Sequence, residues 1–135
     1  MPEPVSFRGV KLGVPICEDV WTPNVVGHLA KAGAEIFLVP NGSPFEADKG
    51  DLRRKLIEDR VSETGAPMIY CNEVGGQDEL VFDGGSFGLN GDGSLAVALP
   101  AFAEDVVVTT WSRDDNGKWR CGDDAPKADY PVGLD

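Results

Sequence analysis

Apolar and polar positions fall into two regimes along the chain. Up to Asn72, short apolar runs alternate with stretches whose apolar residues recur every three or four positions. Val10 to Cys17 reads V-K-L-G-V-P-I-C between Arg8 and Glu18, which predicts a strand buried on both faces. Thr22-Pro23 supplies an N-cap and a proline at the first helical position. Val25, Val26, Leu29 and Ala30 follow at helical spacing, and Gly33 ends the helix. Ala34 to Pro40 is a second strand, closed by the loop residues Asn41-Gly42-Ser43-Pro44. A second helix begins near Asp48 or Asp51, carries the stripe Leu52, Leu56, Ile57 and Val61, and stops at Gly65. Ala66 to Asn72 is a third buried strand. Strands joined through helices of about a dozen residues are βαβ units, which predicts an α/β fold with a parallel, right-handed arrangement.

Beyond Leu80 the pattern shortens into β segments broken by Gly84-Gly85, Asn90-Gly91 and Asp92-Gly93. Asn90-Gly91 predicts a hairpin between Gly85–Leu89 and Leu95–Leu99. Asp105 to Trp111 (D-V-V-V-T-T-W) reads as a further strand, turned back at Asn116-Gly117 through Lys118–Arg120. The tail Gly122 to Asp135 shows no period and reads as a linker, so residues 1–121 form the expected domain.

Composition narrows the class. With 135 residues, 41% hydrophobic and 26% charged, the chain is one small globular unit or a piece of a larger one. It has no apolar run of membrane-spanning length and no basic-then-apolar leader, so a soluble, cytoplasmic protein without a membrane partner is expected. Twelve Lys and Arg against 23 Asp and Glu give a net charge of −11. Such a surface repels phosphate backbones, and no nucleic acid partner is expected. Cys17, Cys71 and Cys121 are odd in number, widely spaced and without a C-x-x-C pair, so neither a disulfide framework nor a cysteine zinc site fits.

Few residues are placed for chemistry. Cys17 stands where the first buried strand gives way to a turn, at the sheet edge where open α/β folds bind ligands. A thiol there attacks a carbonyl only if something removes its proton, and ionised Glu18 or Asp19 would oppose a thiolate. A buried structural cysteine is the alternative. The single histidine, His28, falls mid-helix and reads as an ordinary helix residue, which leaves no Ser-His-Asp triad and no histidine metal site. Ser43 and Ser86 read as loop hydroxyls rather than nucleophiles. The loop from Asn41 to Phe45 opens on the same edge as Cys17 and can offer polar groups to a substrate, although turn residues alone explain it. Lys49 falls near the start of a helix, where a cation is unfavourable, which hints at a separate role. Arg53-Arg54-Lys55 reads as a solvated helix face. The glycines from Gly84 to Gly93 form neither G-x-G-x-x-G nor a P-loop and need only hairpin turns.

Three blocks carry a family resemblance. The string Gly13-Val14-Pro15-Ile16-Cys17-Glu18-Asp19-Val20-Trp21 resembles the cysteine motif of the nitrilase, or carbon–nitrogen hydrolase, superfamily. Together with Asn41-Gly42-Ser43-Pro44-Phe45 and the stretch from Tyr70 to Ser86, it resembles the glutaminase domain of glutamine-dependent NAD synthetases. The resemblance implies an αββα sandwich and makes Cys17 the nucleophile toward the side-chain amide of L-glutamine. It carries the glutamine contacts onto Ser43 and Lys49, and gives Glu18 a role in orienting substrate. It implies no cofactor in this segment. ATP and Mg2+ would serve a separate synthetase domain that amidates nicotinic acid adenine dinucleotide.

The resemblance also places the family's catalytic glutamate and lysine ahead of the cysteine strand. Only sixteen residues precede Cys17, and Glu3 and Lys11 match neither motif. The chain is therefore expected to be the second half of a glutaminase domain, inactive by itself. Half a sandwich exposes an apolar sheet face, so a homo-oligomer is expected. Two alternatives stay open: another nitrilase-type amidase, and a non-catalytic α/β module in which Cys17 is merely buried.

Overall fold

The computed structural model describes residues 1–47 and 49–129. Its strands are β1 (Val5–Phe7), β2 (Val10–Gly13), β3 (Ile36–Asn41), β4 (Met68–Asn72), β5 (Val74–Gln77), β6 (Leu80–Asp83), β7 (Phe87–Leu89), β8 (Leu95–Ala98), β9 (Trp111–Arg113) and β10 (Trp119–Cys121). Its helices are α1 (Pro23–Lys31) and α2 (Lys49–Thr64), with a 3₁₀ turn at Cys17–Val20. A six-stranded sheet runs in the order β1-β2-β3-β4-β7-β8. Its middle pairs, β2 with β3 and β3 with β4, are parallel, as the alternation of apolar runs and helices requires. The hairpins β5–β6 and β9–β10 stand outside it.

The sheet register separates two faces. Gly13, Phe37, Met68 and Leu89 lie side by side across four strands, and Val39, Tyr70, Phe87 and Ala98 form the next row. Against this face pack Val26 and Leu29 of α1 and Ile57 and Val61 of α2, giving a hydrophobic core. Phe37 is fully buried because β2 offers it a glycine: a Cβ on Gly13 would stand 2.7 Å from the Phe37 ring. The opposite rows, Val5–Leu12–Ile36 and Leu38–Ile69–Gly88–Val97, meet no helix. Val5 and Phe7 are 58% and 57% exposed there.

Several expectations need correction. The strands expected to be buried on both faces are covered by helices on one only, and Cys71 of β4 is exposed. The first strand stops at Gly13, four residues short of Cys17, because Pro15 removes a donor and the chain turns into the 3₁₀ segment. The strand expected over Asp105–Trp111 is absent. Residues 104–110 form no strand, leaving Val106 and Val108 more than 90% exposed, and strand pairing starts only at Trp111. Asn90-Gly91 does reverse the chain, but through a five-residue loop rather than a two-residue turn: Asn90 N–H bonds the Ser94 carbonyl, and Leu89 pairs with Leu95. The Asn116-Gly117 turn forms, with Asp114 accepting the N–H groups of Asn116 and Lys118. Residues 126–128 run beside β8, where Ala98 N–H bonds Pro126 and Ala128 N–H bonds Ala98. The last part of the stretch read as a linker, residues 130–135, lies outside the described residues.

Candidate functional site

The site begins at a bend. Cys17 opens the 3₁₀ turn with φ of +51°, a left-handed conformation that costs a non-glycine residue about 1–3 kcal/mol and survives only where the surroundings hold it. Here the Asp19 carboxylate accepts the Ile16 N–H at 2.9 Å, and the Trp21 N–H bonds the Glu18 carbonyl. Arg60, buried on α2, reaches the Val20 carbonyl at 3.4 Å. Cys17 thereby stands at the bend between β2 and the 3₁₀ turn and is half-buried.

At the far end of that turn lies a cavity of about 480 Å³, lined by Val20 and Trp21, by Ser43 and Glu46 of the loop after β3, by Lys49, Leu52, Arg53 and Leu56 of α2, and by Tyr70 of β4. Ser43 is fixed from two sides. Its N–H bonds Asn72 Oδ1 at 3.0 Å, and its hydroxyl and carbonyl accept from the Arg53 guanidinium. Arg53 is itself paired with Asp83 at 2.7 Å, and both side chains are buried. Burial pushes the Tyr70 phenol up, against the Arg53 charge and the neighbouring Ser43 hydroxyl, and the charge a Cys17 thiolate would carry adds to the rise. This coupling puts Tyr70, Ser43 and Cys17 in one electrostatic neighbourhood.

The residues singled out in the sequence are not all gathered. Ser43 and Lys49 share the cavity wall, and Lys49 is paired with Glu46 at 3.6 Å. Neither Cys17 nor Glu18 lines the cavity: Cys17 opens the turn that leads to Val20 and Trp21 on its wall, and Glu18 is exposed. His28 lies on α1, 3.2 Å from Glu3, away from the cavity. Ser86 bridges backbone groups of Asn72 and so ties β4 to the start of β7. Arg53 overturns the reading of Arg53-Arg54-Lys55 as a solvated face, since it is 5% exposed and ion-paired, while Leu52, expected on the buried stripe, is 56% exposed. Tyr70, Asn72 and Asp83 stand in the stretch that carried the family resemblance but were given no role there. Arg53 did carry a signal: it precedes Ile57 by one helical turn, on the buried face. Among the described residues, no cluster of three or more His, Cys, Asp or Glu is placed to hold a metal ion. Nor is any helix there long and apolar enough to cross a membrane.

A parallel-centred sheet with both helices on one face, and a cysteine on the bend beyond its second strand, is part of a nitrilase-type αββα sandwich. A family model described as carbon-nitrogen hydrolase matches residues 2–121, and the chain belongs to that family. The glutamine-dependent NAD(+) synthetase of Rhodobacter capsulatus is 59% identical over 105 residues, covering 78% of this chain and 19% of that protein. The glutamine-dependent NAD+ synthetase of Acinetobacter baumannii, solved in complex with adenosine diphosphate, is similar with a TM-score of 0.80 and 35% identity, over 93% of this chain and 24% of that one. An amidase from Nesterenkonia sp. AN1, solved as a mutant with acrylamide added at its active site cysteine, is similar with a TM-score of 0.65 and 32% identity, over 73% and 39% of the two chains. This chain spans about a fifth of the length of the curated relatives it matches.

Proposed function

We propose that this segment carries the nucleophile and the substrate pocket of a glutamine amide hydrolase that supplies ammonia for NAD synthesis. The observation that carries the reading is the cavity that Ser43, Lys49 and Tyr70 help to line, at the end of the turn that a left-handed Cys17 opens. The Cys17 thiol adds to the side-chain amide carbonyl of L-glutamine. The carbon–nitrogen bond breaks, the thiol proton leaves with the nitrogen as ammonia, and a thioester remains. Water then frees glutamate and restores the thiol. Ser43 and Lys49 hold the glutamine, and Glu18, facing solvent beside the nucleophile, orients it on entry. Ammonia passes to a synthetase domain that uses ATP and Mg2+ to amidate nicotinic acid adenine dinucleotide. The similarity to two glutamine-dependent NAD synthetases supports this second half of the reading.

The amidase likeness supports a second reading, hydrolysis of simple amides with no synthetase involved. One experiment separates the two. In the full polypeptide to which this sequence belongs, Cys17→Ala is expected to abolish glutamine-dependent NAD formation and to leave ammonia-dependent formation intact. Equal loss with both nitrogen donors would refute the assignment of Cys17. Hydrolysis of short aliphatic amides, with no NAD formed from either donor, would favour the second reading.

A further inference from the structure

The guanidinium of Arg53 does more than neutralise a buried carboxylate. Its Nη1 donates to Asp83 Oδ2 at 2.7 Å, and its Nη2 donates to the Ser43 carbonyl at 2.9 Å, the Pro44 carbonyl at 3.0 Å and the Ser43 hydroxyl oxygen at 3.1 Å. Its Nε lies 3.3 Å from the same hydroxyl oxygen. A hydroxyl has one proton and two lone pairs. With Arg53 occupying the acceptor side of Ser43 Oγ, the proton of that hydroxyl points away from α2, toward the cavity and Tyr70. Arg53 therefore sets the polarity of Ser43: a donor faces the cavity, which suits an acceptor oxygen on a bound ligand.

Asp83 fixes Arg53 in turn. It is the last residue of β6 and fully buried. The same hairpin holds the Ser43 loop directly, since Phe45 N–H bonds the Val81 carbonyl at 2.6 Å and Pro44 bridges to Phe82. The hairpin, the guanidinium and the loop form one hydrogen-bonded unit with Ser43 at its cavity end.

We propose that Arg53, clamped by Asp83, is a positioning residue that holds Ser43 as a hydrogen-bond donor to the substrate, so that hairpin β5–β6 governs how well a glutamine-shaped ligand is bound. This rests on the reading that the cavity takes glutamine. Arg53→Lys keeps a cation for Asp83, but a single ammonium does not reproduce the planar fork that reaches two carbonyls and a hydroxyl.

The test uses the full polypeptide and two reagents that alkylate Cys17, a glutamine-shaped diazo ketone and iodoacetamide, with labelled peptides quantified by mass spectrometry. In Arg53→Lys, the diazo ketone concentration giving half-maximal rate is expected to rise about tenfold, while the iodoacetamide rate at Cys17 stays within about twofold. A merely structural arginine would alter both rates together or neither, and either result overturns the proposal. In the Ser43→Ala background, adding Arg53→Lys is expected to raise the half-maximal concentration less than about twofold further, because the group it positions is gone. Fully multiplicative effects would show that Arg53 does not act through Ser43. Asp83→Asn, whose amide oxygen still accepts from Nη1, is expected to shift the diazo ketone value in the same direction by less, and it serves if Arg53→Lys does not fold. No shift in Asp83→Asn would equally overturn the proposal. If glutamine fails to protect Cys17 from the diazo ketone in the unsubstituted protein, the glutamine reading itself fails, and with it the proposal, before any variant is compared.

Discussion

Asn72 Oδ1 accepts the backbone N–H of Ser43 at 3.0 Å, so the last residue of β4 holds the loop that leaves β3. The same amide donates through Nδ2 to the Gly84 carbonyl at 3.0 Å, which joins the hairpin end to the loop through one buried side chain. Truncation leaves a buried N–H and a buried carbonyl without that partner, each at a cost of about 1–3 kcal/mol. Asn72→Ala is expected to lower the urea midpoint accordingly and to weaken any ligand held by Ser43. An unchanged midpoint would mean that water replaces the amide.

The cysteines differ in access, and the difference is measurable in the 135-residue chain. Cys71 is exposed on the helix-free face, whereas Cys121 is buried and its thiol is pushed up by burial. The thiolate is the reactive species. A small maleimide at neutral pH is therefore expected to modify Cys71 quickly and to leave Cys121 untouched until denaturant is added. Rapid labelling of Cys121 in the folded chain would contradict the packing of β10 described above.

Gly13 sits where no side chain fits. Gly13→Ala brings a Cβ to within 2.7 Å of two Phe37 ring carbons. The ring is fully buried and has little room to give, so the expected destabilisation is about 1–3 kcal/mol. Gly27→Ala, which meets nothing within 4 Å, is the control and should leave the thermal midpoint unchanged or slightly raised.

Asp92 supplies a pH signature. Hydrogen bonds from the Ser94 hydroxyl and amide, then from Arg120, hold its carboxyl down at about 2, against 3.8 for a free aspartate. A lowered folded-state value means that the ionised form is favoured by folding. The contribution is complete above pH 3.8 and is lost as the pH falls through 2. The side chain is 57% exposed, so screening limits the effect to no more than about 1 kcal/mol. Unfolding midpoints at pH 4.5 and pH 2 are expected to fall less in Asp92→Asn than in the unsubstituted chain. Identical pH slopes would remove Asp92 from the account.

Much of the fold was legible because the βαβ half repeats one grammar: apolar run, capped helix, apolar run. Thr22-Pro23 marked the start of α1 to the residue, and Gly33 and Gly65 both fell just past a helix end. The strand expected at Asp105–Trp111 failed because β-branched composition shows only that a segment can pair, whereas pairing needs a free neighbour, and the outer side of β8 is taken by residues 126–128. Cys17, Ser43 and Lys49 were marked as a site by the family resemblance, their types and places alone leaving bland readings open. The support beneath them was not, since Arg53, Asn72 and Asp83 come from three elements and meet only when α2 is laid across the strand ends. A charged triplet on a helix looks solvated until a buried carboxylate thirty residues away is known to face it.

The pairing of residues 126–128 with β8 bears on where the chain can be cut. The family match ends at Cys121, yet Ala98 exchanges hydrogen bonds with Pro126 and Ala128 beyond that point. A protein trimmed to the match would leave this rim of the sheet bare, with an amide and a carbonyl of an alanine- and valine-rich strand turned outward. Bare rims of that kind template the addition of further strands. Fragments ending at residue 121 are thus expected to associate rim to rim at concentrations where fragments reaching residue 129 stay apart, a difference visible by light scattering.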